Sequence, residues 1–188
     1  MRFYVGLHQP SDAKNFGAAF ISVNRIRNRK SAFVVGDWIM DSGAFTEIAT
    51  YGHYRHGVEE YAEQIRRWKS CGNMIAAVAQ DYMCEPWMLE KTGLTVADHQ
   101  RLTIERYDAL LACDTGACIM PVMQGYAPAD YAAHMLGAAQ DRGNYSDDAI
   151  IARAGRLIAL RDLHIAQRDH KPTKAILARL RAYTAGAL

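Results

Sequence analysis

The sequence is poor in several features that mark whole classes of protein. Only four of its 188 residues are cysteine (Cys71, Cys84, Cys113 and Cys118), and none forms a CxxC pair. The Cys113–Cys118 spacing fits neither a zinc ribbon nor a zinc finger, so a structural zinc site is not expected and free thiols in a reducing compartment are. His99 and His134 lack an HxxxH or HxH companion and read as packing or surface groups on helices. No metal and no other cofactor is expected. No apolar run approaches the roughly 20 residues of a spanning helix. The first ten residues, MRFYVGLHQP, lack the apolar region of a signal peptide. The expectation is a cytoplasmic protein with no membrane contact. Net charge is also small, +2, which argues against a uniformly basic surface.

That small charge conceals an asymmetry. Residues 151–188 hold eight Lys or Arg and two Asp, a balance of +6, and residues 1–150 carry −4. A basic end on a mildly acidic body suits either a polyanion partner or a solvated helix face. Arg25, Arg27, Arg29 and Lys30, with Arg153, Arg156, Arg161 and Arg168, are the candidate phosphate contacts.

What is present is organised around Trp38 to Phe45, WIMDSGAF. Phe33-Val34-Val35 and Trp38-Ile39-Met40 have the content of a buried strand. It ends abruptly in an acid, Asp41, where Ser42 and Gly43 turn the chain. Asp-Ser-Gly is ordinary turn chemistry, but in parallel α/β folds this strand edge is also where ligands bind.

The remaining pattern is a succession of strands and helices. Arg2 to Leu7 reads as a strand, and Ser11 as the cap of a helix carrying Phe16, Phe20 and Val23. A Gly, Tyr and His-rich loop spans 50–57. Val58, Tyr61, Ile65 and Trp68 then share one face of an amphipathic helix, acidic at its start and basic at its end. Met74 to Ala79 reads as a strand ending near Asp81, followed by a long loop rich in Met, Cys, Glu, Pro and Trp. Thr95 and Asp98 resemble a capping box opening a further helix. Cys118 to Met123 reads as a fourth strand ending at Gln124-Gly125, and Pro128 opens a helix. Trp38, Trp68 and Trp87 read as core. This alternation predicts an α/β fold with a parallel sheet, TIM-barrel-like but partial or truncated, since a closed barrel normally needs about 250 residues. The expected division is a (β/α) domain over 1–140 and a basic, mainly helical segment over 141–188. Asp41, Asp81 and Gln124 fall 40 and 43 residues apart, one βα unit each, so their strand ends are expected to converge on one edge.

Three strings at those strand ends resemble the tRNA-guanine transglycosylase superfamily, and more closely its DpdA-type deazapurine DNA modification branch. They are Asp41-Ser42-Gly43-Ala44-Phe45, Gln80-Asp81-Tyr82-Met83-Cys84-Glu85-Pro86 and Pro121-Val122-Met123-Gln124-Gly125-Tyr126. Val5-Gly6-Leu7-His8-Gln9-Pro10, Ser22-Val23-Asn24-Arg25 and Gly93-Leu94-Thr95-Val96-Ala97-Asp98-His99-Gln100 extend the likeness. The resemblance implies an enzyme that exchanges guanine in nucleic acid, DNA by the closer likeness with tRNA as the alternative, for a 7-deazaguanine base such as preQ0. The target nucleotide would be turned out of its stack. A carboxylate would then form a covalent glycosyl intermediate that the incoming base displaces.

By the same resemblance, Asp41 is the proton-transferring carboxylate, and Ser42 and Gly43 shape its turn. Phe45 stacks on the base. Asp81 accepts from the base's N–H donors, Gln124 donates to its carbonyl, and Gly125 permits close approach. Glu85 could line the same pocket or simply precede Pro86. The superfamily's late nucleophilic Asp has no match; Asp162 and Asp169 stand in different contexts, RDLH and QRDHKP. Two other readings therefore stay open. One is a catalytically incomplete base- or nucleic-acid-binding relative that works as a homodimer or with a partner chain. The other is an unrelated partial barrel, such as a hydrolase using Asp41 and Asp81.

Overall fold

The computed structural model describes residues 3–140 and Lys174. By its internal contacts the chain divides into two units, residues 1–124 and 125–188. In the first, β1 (Val5–Leu7) leads through a 3-10 turn (Pro10–Asn15) to β2 (Ala18–Ser22) and the short α1 (Val23–Ile26). Then follow β3 (Asp37–Asp41), α2 (Ala44–Tyr51), α3 (Val58–Trp68), β4 (Asn73–Val78), α4 (Pro86–Thr92), α5 (Val96–Ala112) and β5 (Ile119–Met120). The described part of the second unit contains α6 (Pro128–Gln140). Its start is capped by Asp130, whose carboxylate accepts from the Tyr126 and Ala127 N–H groups at 2.9 and 2.7 Å.

The five strands form one sheet in the order β1-β2-β3-β4-β5, every pair parallel. Sheet order equals chain order, so each strand joins the side of the sheet opposite its predecessor's neighbour. A doubly wound fold would reverse direction. Because all strands point one way, their C-terminal ends share one edge.

One sheet face carries Ala19 and Ile21, Trp38 and Met40, Ala77, and Ile119, all buried in the main core. The helical stripe predicted at Val58, Tyr61, Ile65 and Trp68 is buried in the same core. The Trp38 indole N–H, unable to reach water, donates to the Cys71 carbonyl at 2.7 Å. The Thr95–Asp98 capping box is present in both directions. His99 is a packing group as expected: buried, its ring nitrogens lie 2.7 Å from the Met83 carbonyl and 2.7 Å from Thr92 Oγ1.

Four expectations are corrected. Residues 18–22 form a strand rather than the middle of a helix capped by Ser11, so the sheet has five described strands, not four. Phe16, Phe20 and Val23 do recur at helical spacing. However, Pro10 sustains only a 3-10 turn, and the chain between β1 and β3 gains a hydrogen-bonded neighbour on each side as a strand. Phe33 to Val35 lie outside β3; Phe33 and Val35 are buried and Val34 is exposed. The segment after Asp81 contains α4, opened by Pro86 at its first turn, where the missing N–H costs nothing. Trp87 is not core: it is 47% exposed.

Candidate functional site

Asp41 closes β3 in register with Ser22 of β2. Its carboxylate accepts from the Gly43 N–H at 3.1 Å. Burial pushes its pKa up, opposed by the Gly43 N–H, the Ser22 hydroxyl and the Ser42 N–H. The turn that aims it needs glycine. Gly43 has φ +76°, and a Cβ there would sit 2.9 Å from Asn24 Cγ and 3.2 Å from Ser22 Oγ. Both the left-handed backbone and the lack of space disfavour any side chain. Gly43→Ala is expected to cost about 2 kcal/mol in urea unfolding; an unchanged midpoint would mean that the turn relaxes freely.

Asp81 follows β4 and is buried. Tyr54 fixes its backbone at both polar groups: the Asp81 N–H donates to Tyr54 Oη at 2.9 Å, and the Tyr54 hydroxyl donates to the Asp81 carbonyl at 3.0 Å. Tyr54 is itself held by the Arg106 guanidinium, 4.5 Å from its ring centroid. Arg106 also donates to Gln80 Oε1 at 2.9 Å. The Asp81 carboxylate accepts from the side-chain amide of Gln124. The backbone carbonyl of Gln124 accepts from Gln100 Nε2 at 2.9 Å. Burial is the main reason the Asp81 carboxyl is pushed up to about 6. The negative charge of Asp41 adds to this, while Gln124 and Ser42 oppose it.

The three groups predicted at strand ends therefore meet. Asp81 and Gln124 are hydrogen-bonded, and Asp41 is close enough for its charge to raise Asp81. Ser42 lies beside them. It favours the charged forms of Asp81 and Tyr54, yet completes a well-formed hydrogen bond with neither, and its oxygen is buried without a partner. Tyr61, whose hydroxyl donates to the Val78 carbonyl at 2.8 Å, is held above its ordinary pKa by burial and then by the charges of Asp41 and Asp81.

Other candidates are placed differently. Phe45, the second residue of α2, is 62% exposed, and its ring makes an edge-type contact with the half-exposed Trp87. Arg27 turns inward and pairs with Glu60, which also holds His56. Arg29 Nε donates to the Ser31 carbonyl at 2.8 Å, and Arg25 and Lys30 are exposed. Glu85 is the exposed N-cap of α4. Gly125 begins the second unit, where a Cβ would lie 2.8 Å from Asp130 Cβ. Arg153, Arg156, Arg161, Arg168, Asp162 and Asp169 lie outside the described residues.

The supporting residues Tyr54, Arg106 and Gln100 have no local signature. Tyr54 stands in a stretch that reads only as loop, and Gln100 follows a helix cap. Among the described residues no cluster of three or more His, Cys, Asp or Glu could hold a metal, and no helix is long and apolar enough to cross a membrane.

The family model of DeoxyPurine in DNA protein A, DpdA, matches residues 1–148. The chain belongs to the DpdA family. No curated protein and no solved structure matches it. The span shared with DpdA contains all five described strands, Asp41, Asp81 and Gln124, and stops before Arg153. Family membership supports a role in deazapurine modification of DNA.

Proposed function

We propose that this DpdA-family chain exchanges guanine in DNA for a 7-deazaguanine base such as preQ0, by transglycosylation without strand cleavage. The observation that carries the reading is the hydrogen-bonded pair Asp81–Gln124, 43 residues apart in sequence, with Asp41 in electrostatic reach. A guanine-like edge offers adjacent N–H donors and a carbonyl; a carboxylate and an amide are their complements. Adenine, which has an amino group where guanine has its carbonyl and a bare ring nitrogen where guanine has N–H, mismatches both groups and would be rejected.

In this scheme Asp81 accepts from the base's donors and Gln124 donates to its carbonyl. Phe45 presents an open ring face for stacking. Asp41 moves the proton that a leaving guanine must gain and an incoming base must lose, which suits a carboxyl raised by burial. A carboxylate attacks the anomeric carbon as guanine departs, and the incoming base then displaces it. No described residue is assigned to that attack. A relative that binds the base and needs a second chain for the chemistry is therefore the second reading, distinguished by binding without exchange. We further infer that the sheet, with barrel-like strand order, is a sector of a (β/α) barrel. Of the four described phosphate candidates, Arg25 and Lys30 are the two left exposed.

DNA from cells making both the protein and the 7-deazaguanine precursor should contain a 7-deazaguanine nucleoside by mass spectrometry. Modified nucleoside found only in the tRNA of such cells would move the substrate to RNA, and none in either would refute exchange. Base binding should also depend on pH. Asp81 recognises N–H donors only when ionised, so affinity for the free base should be level above pH 7. It should fall below about 6, approaching tenfold per pH unit. Calorimetry from pH 5 to 8 measures this, and a flat profile removes Asp81 from recognition.

A further inference from the structure

Trp87 stands apart from the other two tryptophans. Trp38 and Trp68 are buried in the main core, whereas Trp87 is half exposed on the first turn of α4. Its ring neighbour, Phe45, is equally placed on the first turn of α2. The two rings thus stand on the helix openings that follow Asp81 and Asp41. They are held from below, because Ala44 and Ile48 of α2 and Met88 of α4 share a small core with Tyr54 and Tyr82. The same Tyr54 fixes the backbone of Asp81. An exposed aromatic pair on so rigid a base has a defined orientation relative to the acids.

That orientation is informative. The centroids are 5.8 Å apart and the planes meet at 68°. Two rings at this angle cannot sandwich one flat ligand between them, since a sandwich needs nearly parallel planes. Each ring instead offers its own free face. If Phe45 takes the exchanged base, Trp87 is left for a different ring close by.

The surrounding charge selects the kind of ring. Exposed Glu85, Glu90 and Lys91 accompany Trp87 on and beside α4, a mixed set that would not by itself draw phosphate. Affinity at this point must come from stacking, which any nucleobase can supply. We propose that Trp87 is a stacking platform for a second nucleobase of the substrate strand, the neighbour of the exchanged guanine. The inference rests on the proposed exchange reaction for the identity of the first base.

The test uses the full chain: its own fluorescence reads the wild type, and anisotropy of a dye-labelled strand, with calorimetry for preQ0, reads every variant. With Trp38 and Trp68 buried, quenching by a stacked base reports Trp87. The probes are a single-stranded oligodeoxynucleotide with one guanine, the same oligonucleotide with abasic positions flanking that guanine, and free preQ0. The intact oligonucleotide should quench emission and bind more tightly than the abasic one. Trp87→Leu keeps apolar contact with Phe45 but offers no π face. It should weaken strand binding roughly tenfold and leave preQ0 affinity unchanged, while Trp87→Phe should restore most of the loss. Equal binding of the two oligonucleotides, or no loss in Trp87→Leu, overturns the platform. A parallel loss of preQ0 affinity also overturns it, by assigning Trp87 to the exchanged base while leaving the exchange reaction intact. Strand quenching without any preQ0 binding would instead sink the exchange reaction and keep the platform.

Discussion

Asp81→Asn is expected to destroy base recognition and to stabilise the fold at neutral pH. Both effects follow from one buried charge. The carboxylate accepts from base N–H donors; an amide turns its own N–H toward them or gives up one acceptor. Losing such charge-assisted bonds should lower affinity for a 7-deazaguanine base roughly a hundredfold or more. The stability effect has the opposite sign. The carboxyl stands at about 6 in the folded chain against 3.8 in a free one. A raised carboxyl pKa favours folding only while the group is protonated. This contribution is therefore full below 3.8 and lost as pH rises through about 6. By pH 7 the buried charge costs about 3 kcal/mol. Asparagine removes that cost and keeps an oxygen for Gln124, but its amide N–H groups need acceptors, which returns about 1 kcal/mol. The variant should be more stable than wild type by about 2 kcal/mol at pH 7 and should lose this advantage toward pH 4. Urea unfolding at the two pH values, with calorimetry on the free base, reads both effects. Unaltered base affinity would end the recognition role, and a less stable variant at pH 7 would end the claim of a strained buried charge.

Asp41→Asn should separate binding from chemistry. The amide keeps an oxygen for the Gly43 N–H that orients Asp41, so the turn and base affinity should survive. It cannot carry a proton between the base and its surroundings, and a positioned general acid–base group contributes about 10²–10⁴ in rate. The deazaguanine nucleoside formed in DNA per unit time should fall by that factor, while the free base still binds within about threefold. Normal exchange by this variant would reduce Asp41 to a turn residue, the plainest reading of Asp-Ser-Gly. Loss of base binding together with exchange would make it part of the recognition surface instead.

Local periodicity explains which parts of this structure are legible without coordinates. Val58, Tyr61, Ile65 and Trp68 repeat at helical spacing and are buried as a stripe. Thr95 and Asp98 carry their capping chemistry within one turn. By contrast, Ala18 to Ser22 mixes alanine, whose local preference is helical, with isoleucine, which prefers a strand. Only its two hydrogen-bonded neighbours, β1 and β3, decide the matter. Trp87 reads as core by residue type, yet Pro86 starts a helix that leaves its ring at the surface beside Phe45.

The same division runs through the site. Sequence alone determined that two acids and an amide close successive βα units, because apolar strands ending in polar residues are a one-dimensional pattern. A parallel sheet then puts such ends on one edge. Tertiary structure decided what the pattern cannot contain. Tyr54 grips Asp81 across 27 residues, Gln100 holds Gln124 across 24, and Asp81 meets Gln124 across 43. These bonds are set by how the helices pack on the sheet rather than by any local repeat. The same packing removes water from Asp81 and lifts its carboxyl toward neutrality, so its chemistry comes from burial more than from its being an aspartate.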